Sequence, residues 1–182
     1  MQLNTRNDIP LYLNELNLTG EGAEIGVLRG EYSKVLLSSW KGTRLYSIDA
    51  WRHWYEGYID VNNPSDDIHE QSYQTTCKAL APFGDRSHII RMTSQEAAVL
   101  FEDGQLDFVY IDANHSYEGC LADIRTWYPK VRKGGVIAGH DYKNTHSRGT
   151  PMGVKKAVDE FFHGQEIIIT AKDWPSWLVV KG

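Results

Sequence analysis

Cysteine is scarce in this chain. Two residues, Cys77 and Cys120, in a length of 182 are too few for a disulfide framework. They read as reduced thiols, with Cys120 on an apolar helical stripe. Basic charge is in deficit as well. Nineteen Lys and Arg against 24 Asp and Glu give a net charge of −5, which leaves no basic face for nucleic acid. No apolar run reaches membrane-spanning length, and the opening residues Met1 to Arg6 lack the apolar core of a signal peptide. Repeats, low-complexity tracts and linkers are missing. The dinucleotide fingerprint G-x-G-x-x-G is missing too. The expectation is one cytoplasmic domain over residues 1–182, with no nucleic acid or membrane partner.

What is present is an ordinary globular composition, 41% apolar and 24% charged, arranged as an alternating β/α series. The run from Gly22 to Gly30 reads as strand, glycine turn and helix start. Ala23, Glu24 and Ile25 are followed by Gly26 and Gly30, and then Tyr32, Val35, Leu36 and Trp40 recur at helical spacing. Glycines let the backbone approach a ligand closely, and the helix start offers unpaired N–H groups. The spacing Glu24-x-Gly26-x-x-x-Gly30 does not suit a pyrophosphate. Glu24 places a negative charge before the turn, where a cation or an amino group fits better. Asp49 ends the next strand, 19 residues past Gly30, where a carboxylate commonly binds ribose hydroxyls. Ribose hydroxyls plus a positively charged methionine-like tail describe S-adenosylmethionine.

The remaining elements follow in order. Residues 8–18 form an N-terminal helix with Asp8 as cap before Pro10. Strands are expected at 22–27, 44–49, 87–91, 106–112 and 136–140. Helices are expected at 31–40, 66–82 and 94–101, the last capped by Thr93 or Ser94. Ser116 opens a helix that stops at Lys133-Gly134-Gly135. Thr150 and Pro151 open another over 151–163. Two closing β runs, 165–170 and 176–181, make a hairpin. The fold class is therefore α/β: a Rossmann-like, doubly wound, mostly parallel seven-stranded sheet with a terminal antiparallel hairpin. The aromatic-rich stretch from Trp51 to Ser65 reads as a lid or substrate wall, or equally as a surface loop packed on the sheet edge. Trp174 and Trp177 stand as candidates for an interface, which would make a homo-oligomer, or for the core.

A second cluster sits at later strand ends. Asp112, Asn114, His115, His140 and Asp141 converge on the crevice that holds Gly26 and Asp49, because parallel strands open on one edge. Two carboxylates and a histidine can hold a hard divalent cation, and a nearby histidine can take a hydroxyl proton. A plainer role for any one of them is capping. Asp112 alone could serve only the N–H groups of the helix that follows.

The run Asp107 to Glu118, with Asp123-Ile124, Trp127, Pro129, Gly134-Gly135 and His140-Asp141-Tyr142, resembles a class I S-adenosylmethionine-dependent methyltransferase. It is most similar to a small family related to catechol-type and macrolide-sugar O-methyltransferases. The resemblance implies a cofactor turn at Glu24, Gly26 and Gly30, with Asp49 on the ribose and Ser94-Gln95 at the adenine edge. It implies metal-binding carboxylates at Asp112 and Asp141, with Asp112 also bordering the cofactor, and a base at His115. Where relatives carry an acid or amide as a third ligand beside Asp141, this chain has His140 and Tyr142, which makes His140 the candidate. The N-terminal extension that covers substrate in larger relatives is nearly absent. The implied activity is methyl transfer to a small-molecule hydroxyl, assisted by Mg²⁺ or another divalent cation where one binds. Trp51, Trp54 and Tyr55, with Tyr142 to Arg148, would wall the acceptor pocket. Two rivals are a nicotinamide oxidoreductase and a non-catalytic S-adenosylmethionine-binding or partner-binding module. The first is opposed by the missing fingerprint and by Tyr142-Lys143 standing adjacent rather than four apart. The second remains because fold does not settle function.

Overall fold

The computed structural model describes residues 2–54, 63–147, 150–172 and 174–182. Five parallel strands form the centre: β1 (Glu21–Ile25), β2 (Arg44–Asp49), β3 (Ser87–Arg91), β4 (Leu106–Ile111) and β5 (Val131–Gly139). A small ribbon follows, β6 (Asn144–Ser147) with β7 (Thr150–Gly153). Then come β8 (Ile168–Ile169) and β9 (Trp177–Val180). The main sheet has seven strands in the order β3-β2-β1-β4-β5-β9-β8, and the last two join antiparallel. The expected α/β class and sheet are found, with the ribbon added.

Alternate strand residues face opposite sides of the sheet, so both faces can be apolar. On one side Leu45, Phe108, Tyr110, Val136, Ala138 and Leu178 pack against α1 (Ile9–Glu15), α2 (Glu31–Ser39) and α3 (Asp66–Leu80). On the other, Ala23, Ile25, Ile48, Val109, Ile111, Ile137 and Trp177 meet α4 (Ser94–Ala98), α5 (Tyr117–Trp127) and α6 (Val154–Phe161). Trp177 is thus core, not surface, while Trp174 is exposed with the Lys143 ammonium 4.4 Å from its ring centre.

The helices expected over 8–18 and 94–101 cover only Ile9–Glu15 and Ser94–Ala98, the strand expected over 165–170 covers only Ile168–Ile169, and three further differences have a local reason. Asp8 does not cap α1 with its side chain. It closes a capping box with Thr5 around the short turn Arg6–Asp8. The helix from Ser116 ends at Trp127, because Pro129 enters a 3-10 turn and β5 already begins at Val131. The Lys133-Gly134-Gly135 stretch therefore lies inside β5, where the register with β4 shifts. Thr150 and Pro151 belong to β7, and α6 starts only at Val154.

Candidate active site

The carboxyl ends of β1 and β2 and the segments that follow β3 and β4 border a cavity of about 840 Å³, within the range of small-molecule sites. Its floor is the turn after β1. Gly26 has φ +87°, and a Cβ there would stand 2.2 Å from the Asp112 carbonyl oxygen, so only glycine fits. Gly30, at φ +79°, is the N-cap of α2. Of the five non-glycine residues with positive φ among the described residues, Leu28 lines this cavity, and Trp51 and Asp141 touch the lining residues Leu28 and His115. Strained backbone of this kind gathers where the surroundings over-determine it.

Asp49 is the brace of the turn. One carboxylate oxygen accepts the N–H groups of Val27 and Leu28, both at 2.9 Å. The other accepts Trp51 N–H at 2.8 Å. Trp51, expected on the acceptor wall, is buried, and its indole donates to the Leu28 carbonyl at 2.7 Å. Trp54 and Arg52 do line the cavity. Trp54 exchanges backbone–amide bonds with Asn63, both at 2.9 Å, which pins the two ends of the aromatic stretch together. Tyr55 and Arg148 lie outside the described residues. Tyr142 turns away, its hydroxyl donating to Asp159.

Glu24 lies under the turn, buried, and accepts a hydrogen bond from Ser33 Oγ, which in turn meets Ser47 Oγ at 2.9 Å. Burial pushes its carboxyl up to about 8, against the opposing Ser33 bond. It still borders the cavity. Ser94 and Gln95, at the start of α4, line the cavity near β2 and both donate to the buried Asp123 of α5.

The second cluster is drawn together as expected from the topology. His115 Nε2 stands 3.3 Å from Asp112 Oδ1 and 3.2 Å from Asp141 Oδ2. Asp141 Oδ1 is 2.5 Å from His140 Nδ1. Burial alone would raise Asp141, but the bonds from His115 and His140 hold it well below the usual carboxylate range. Asp112, His115 and Asp141 each offer one ligand atom, all within 4.8 Å of one another. His140 is outside that group and holds Asp141 from the far side. Asn114 has a local duty, its Oδ1 accepting Ser116 N–H at 2.9 Å, while Ser116 caps α5 through Gly119 N–H at 3.0 Å.

Arg6 and His69 are among the cavity residues that escape sequence reasoning. Arg6 pairs with Asp112 Oδ2 at 3.0 Å and lies over the Tyr32 ring. His69, on the buried face of α3 with Ser72 and Thr76, has an Nε2 without a hydrogen-bond partner among the described residues. The helical spacing of 69, 72 and 76 marks the face, but nothing local tells that it meets the site.

The sequence of residues 23–142 matches the family model described as a methyltransferase domain. No curated protein matches the chain. Among solved structures, a Staphylococcus aureus protein provisionally named a caffeoyl-CoA O-methyltransferase aligns with TM-score 0.70 at 18% identity, over 96% of this chain and 81% of its own. The Bacillus cereus O-methyltransferase in complex with SAH aligns at 0.65 and 17%, over 96% and 80%. Spermidine synthase from Thermotoga maritima aligns at 0.62 and 14%, over 97% and 59%. With more than half of its length in the family model, the chain belongs to the methyltransferase-domain family and carries the fold of class I S-adenosylmethionine-dependent methyltransferases.

Proposed function

We propose that the chain transfers the sulfonium methyl group of S-adenosylmethionine to a hydroxyl oxygen of a small molecule, with His115 as the base. The observation that supports this most is the position of His115. It borders the same cavity as Glu24, Gly26, Asp49, Ser94 and Gln95, with its Nε2 between two carboxylates. The oxygen lone pair attacks the methyl carbon and the carbon–sulfur bond breaks. The bonding pair stays on sulfur, and the hydroxyl proton passes to the imidazole. The methyl carbon is already electrophilic, so alignment and water exclusion are the protein's main tasks. Asp112 and Asp141 orient the ring.

Asp112, His115 and Asp141 also fit a divalent cation. Two carboxylates suit Mg²⁺, and the imidazole shifts the preference toward a transition metal. Such a cation would lower the pKa of the acceptor hydroxyl and orient it. A cation on His115 Nε2 would replace the proton that this nitrogen shares with the two carboxylates, so chelation should abolish transfer by a metal-assisted route and leave a metal-free route unchanged.

The test is transfer of labelled methyl to phenols and sugar hydroxyls by the wild type and His115→Ala, with S-adenosylhomocysteine affinity measured in parallel. The variant should lose about 10²- to 10⁴-fold in kcat while keeping that affinity. Transfer at the wild-type rate rejects the base, and absence of hydroxyl transfer by the wild type rejects the reaction.

A further inference from the structure

The start of α4 and the middle of α5 meet in a polar network that the proposed chemistry does not use. Ser94 Oγ donates to Asp123 Oδ1 at 2.5 Å, and Gln95 Nε2 donates to the same oxygen at 3.1 Å. Trp127 Nε1 donates to Ser94 Oγ at 2.8 Å. Asp123 is 2% exposed and Trp127 fully buried. Ser94, Gln95 and Asp123 all line the cavity, beside Asp49 and Ala50 of the neighbouring strand end. A buried carboxyl in an apolar layer is costly, and pairing only partly offsets the cost. Packing offers no reason for one at this place.

We infer that Asp123 is a positioning residue that sets the hydrogen-bond polarity of the Ser94–Gln95 edge, so that the cavity selects a nucleoside whose base carries an exocyclic amine. The inference rests on the cofactor reading above and names how the base is chosen.

The argument is one of donors and acceptors. A carboxylate accepts only. It therefore takes the single proton of the Ser94 hydroxyl and turns the Gln95 amide with nitrogen toward itself. Trp127 donates to Ser94 as well, so that hydroxyl has no proton left to offer. The groups that remain are a lone pair on Ser94 Oγ, the Gln95 carbonyl oxygen and one amide N–H. An amide with its carbonyl and N–H side by side matches the amine and ring nitrogen of adenine, the pairing by which glutamine reads adenine elsewhere. A 6-oxo purine would set its carbonyl oxygen against the Gln95 carbonyl oxygen and leave both without a proton between them. With a neutral, donating side chain at position 123 the amide can turn over, and the preference is lost.

The experiment is calorimetric titration of the full chain with S-adenosylhomocysteine and its 6-oxo analogue, S-inosylhomocysteine. The wild type should prefer the adenosyl form by about 100-fold or more, as expected where a mismatched base leaves site groups unpaired. Asp123→Asn should reduce that ratio below about tenfold, mainly by gaining affinity for the inosyl form. If the variant weakens both ligands equally, Asp123 is only structural and the inference fails. Gln95→Met, at an exposed helix start, keeps the fold should Asp123→Asn not. It should collapse the same ratio, and an unchanged ratio there also overturns the inference. A wild type that binds neither ligand refutes the cofactor reading instead.

Discussion

Arg6 and Asp112, 106 residues apart in sequence, meet at 3.0 Å across the mouth of the candidate active site. The contact is prepared at both ends. Tyr32 holds the Arg6 carbonyl through its hydroxyl at 2.9 Å, and the guanidinium lies 4.8 Å from the centre of the same ring. On the cation reading proposed above, the Arg6 guanidinium offsets part of the Asp112 charge that a cation would meet. Arg6→Ala should therefore raise the affinity for Mn²⁺ by about threefold to tenfold, the range expected when a partly exposed pair is removed. It should cost about 1 kcal/mol or less in stability. Isothermal titration with Mn²⁺ and thermal melting check both, and an unchanged Mn²⁺ affinity would show that the carboxylate is not a ligand.

Glu24 gives a pH signature. Its carboxyl titrates at about 8 in the folded chain, against an ordinary value of 4.5, chiefly because it is buried. Between those values the folded state keeps a proton that the unfolded state has released. Stability is then highest at the acid end of that window and falls as pH rises through it. Glu24→Gln stays neutral throughout. Relative to this variant, the wild type should lose on the order of 4 kcal/mol between pH 5 and pH 9. Urea denaturation at each pH measures it, and parallel curves would mean that Glu24 is ionised at neutrality.

The two turn glycines should respond unequally. Gly26 combines φ +87° with a would-be Cβ 2.2 Å from backbone. Gly30 combines φ +79° with a nearest neighbour, the Thr76 methyl, at 3.2 Å, a side chain able to give way. Gly30→Ala should cost about 1–2 kcal/mol from left-handed strain alone. Gly26→Ala should cost more than about 3 kcal/mol, because steric overlap with backbone adds to that strain. Equal denaturation midpoints would contradict the geometry.

The sheet was legible because its strands are bounded by chemistry that acts locally. Strands β2 and β3 fall on residues 44–49 and 87–91, as read from their apolar runs, and each continues into a turn at its carboxyl end. The convergence of Asp112, His115 and Asp141 followed from parallel topology alone. The β6–β7 ribbon was not legible, since the sequences of Asn144–Ser147 and Thr150–Gly153 carry no alternating apolar pattern and Thr150-Pro151 imitates a helix start. Asp49 and Asp123 show another limit. Residue type marked Asp49 as a ligand group, but its oxygens also carry three backbone N–H bonds that only the folded turn brings near. Asp123 stood in the family-like run without a role, because its partners Ser94 and Gln95 are 28 or 29 residues away. Arg6 and His69 reach the cavity from helical segments whose local pattern says only which side is buried.

The ribbon has a bearing on how this chain can change. Gly153 donates its N–H to the carbonyl of His115 at 2.8 Å, and a side chain at position 153 would strike Tyr117, the first residue of α5. The backbone that carries the imidazole is thus tied to a hairpin outside both core layers. A change in that hairpin would therefore be felt at the His115 backbone, although no described hairpin residue lines the cavity, so substitutions there would have to be matched around Gly153 and Tyr117 to leave the histidine in place.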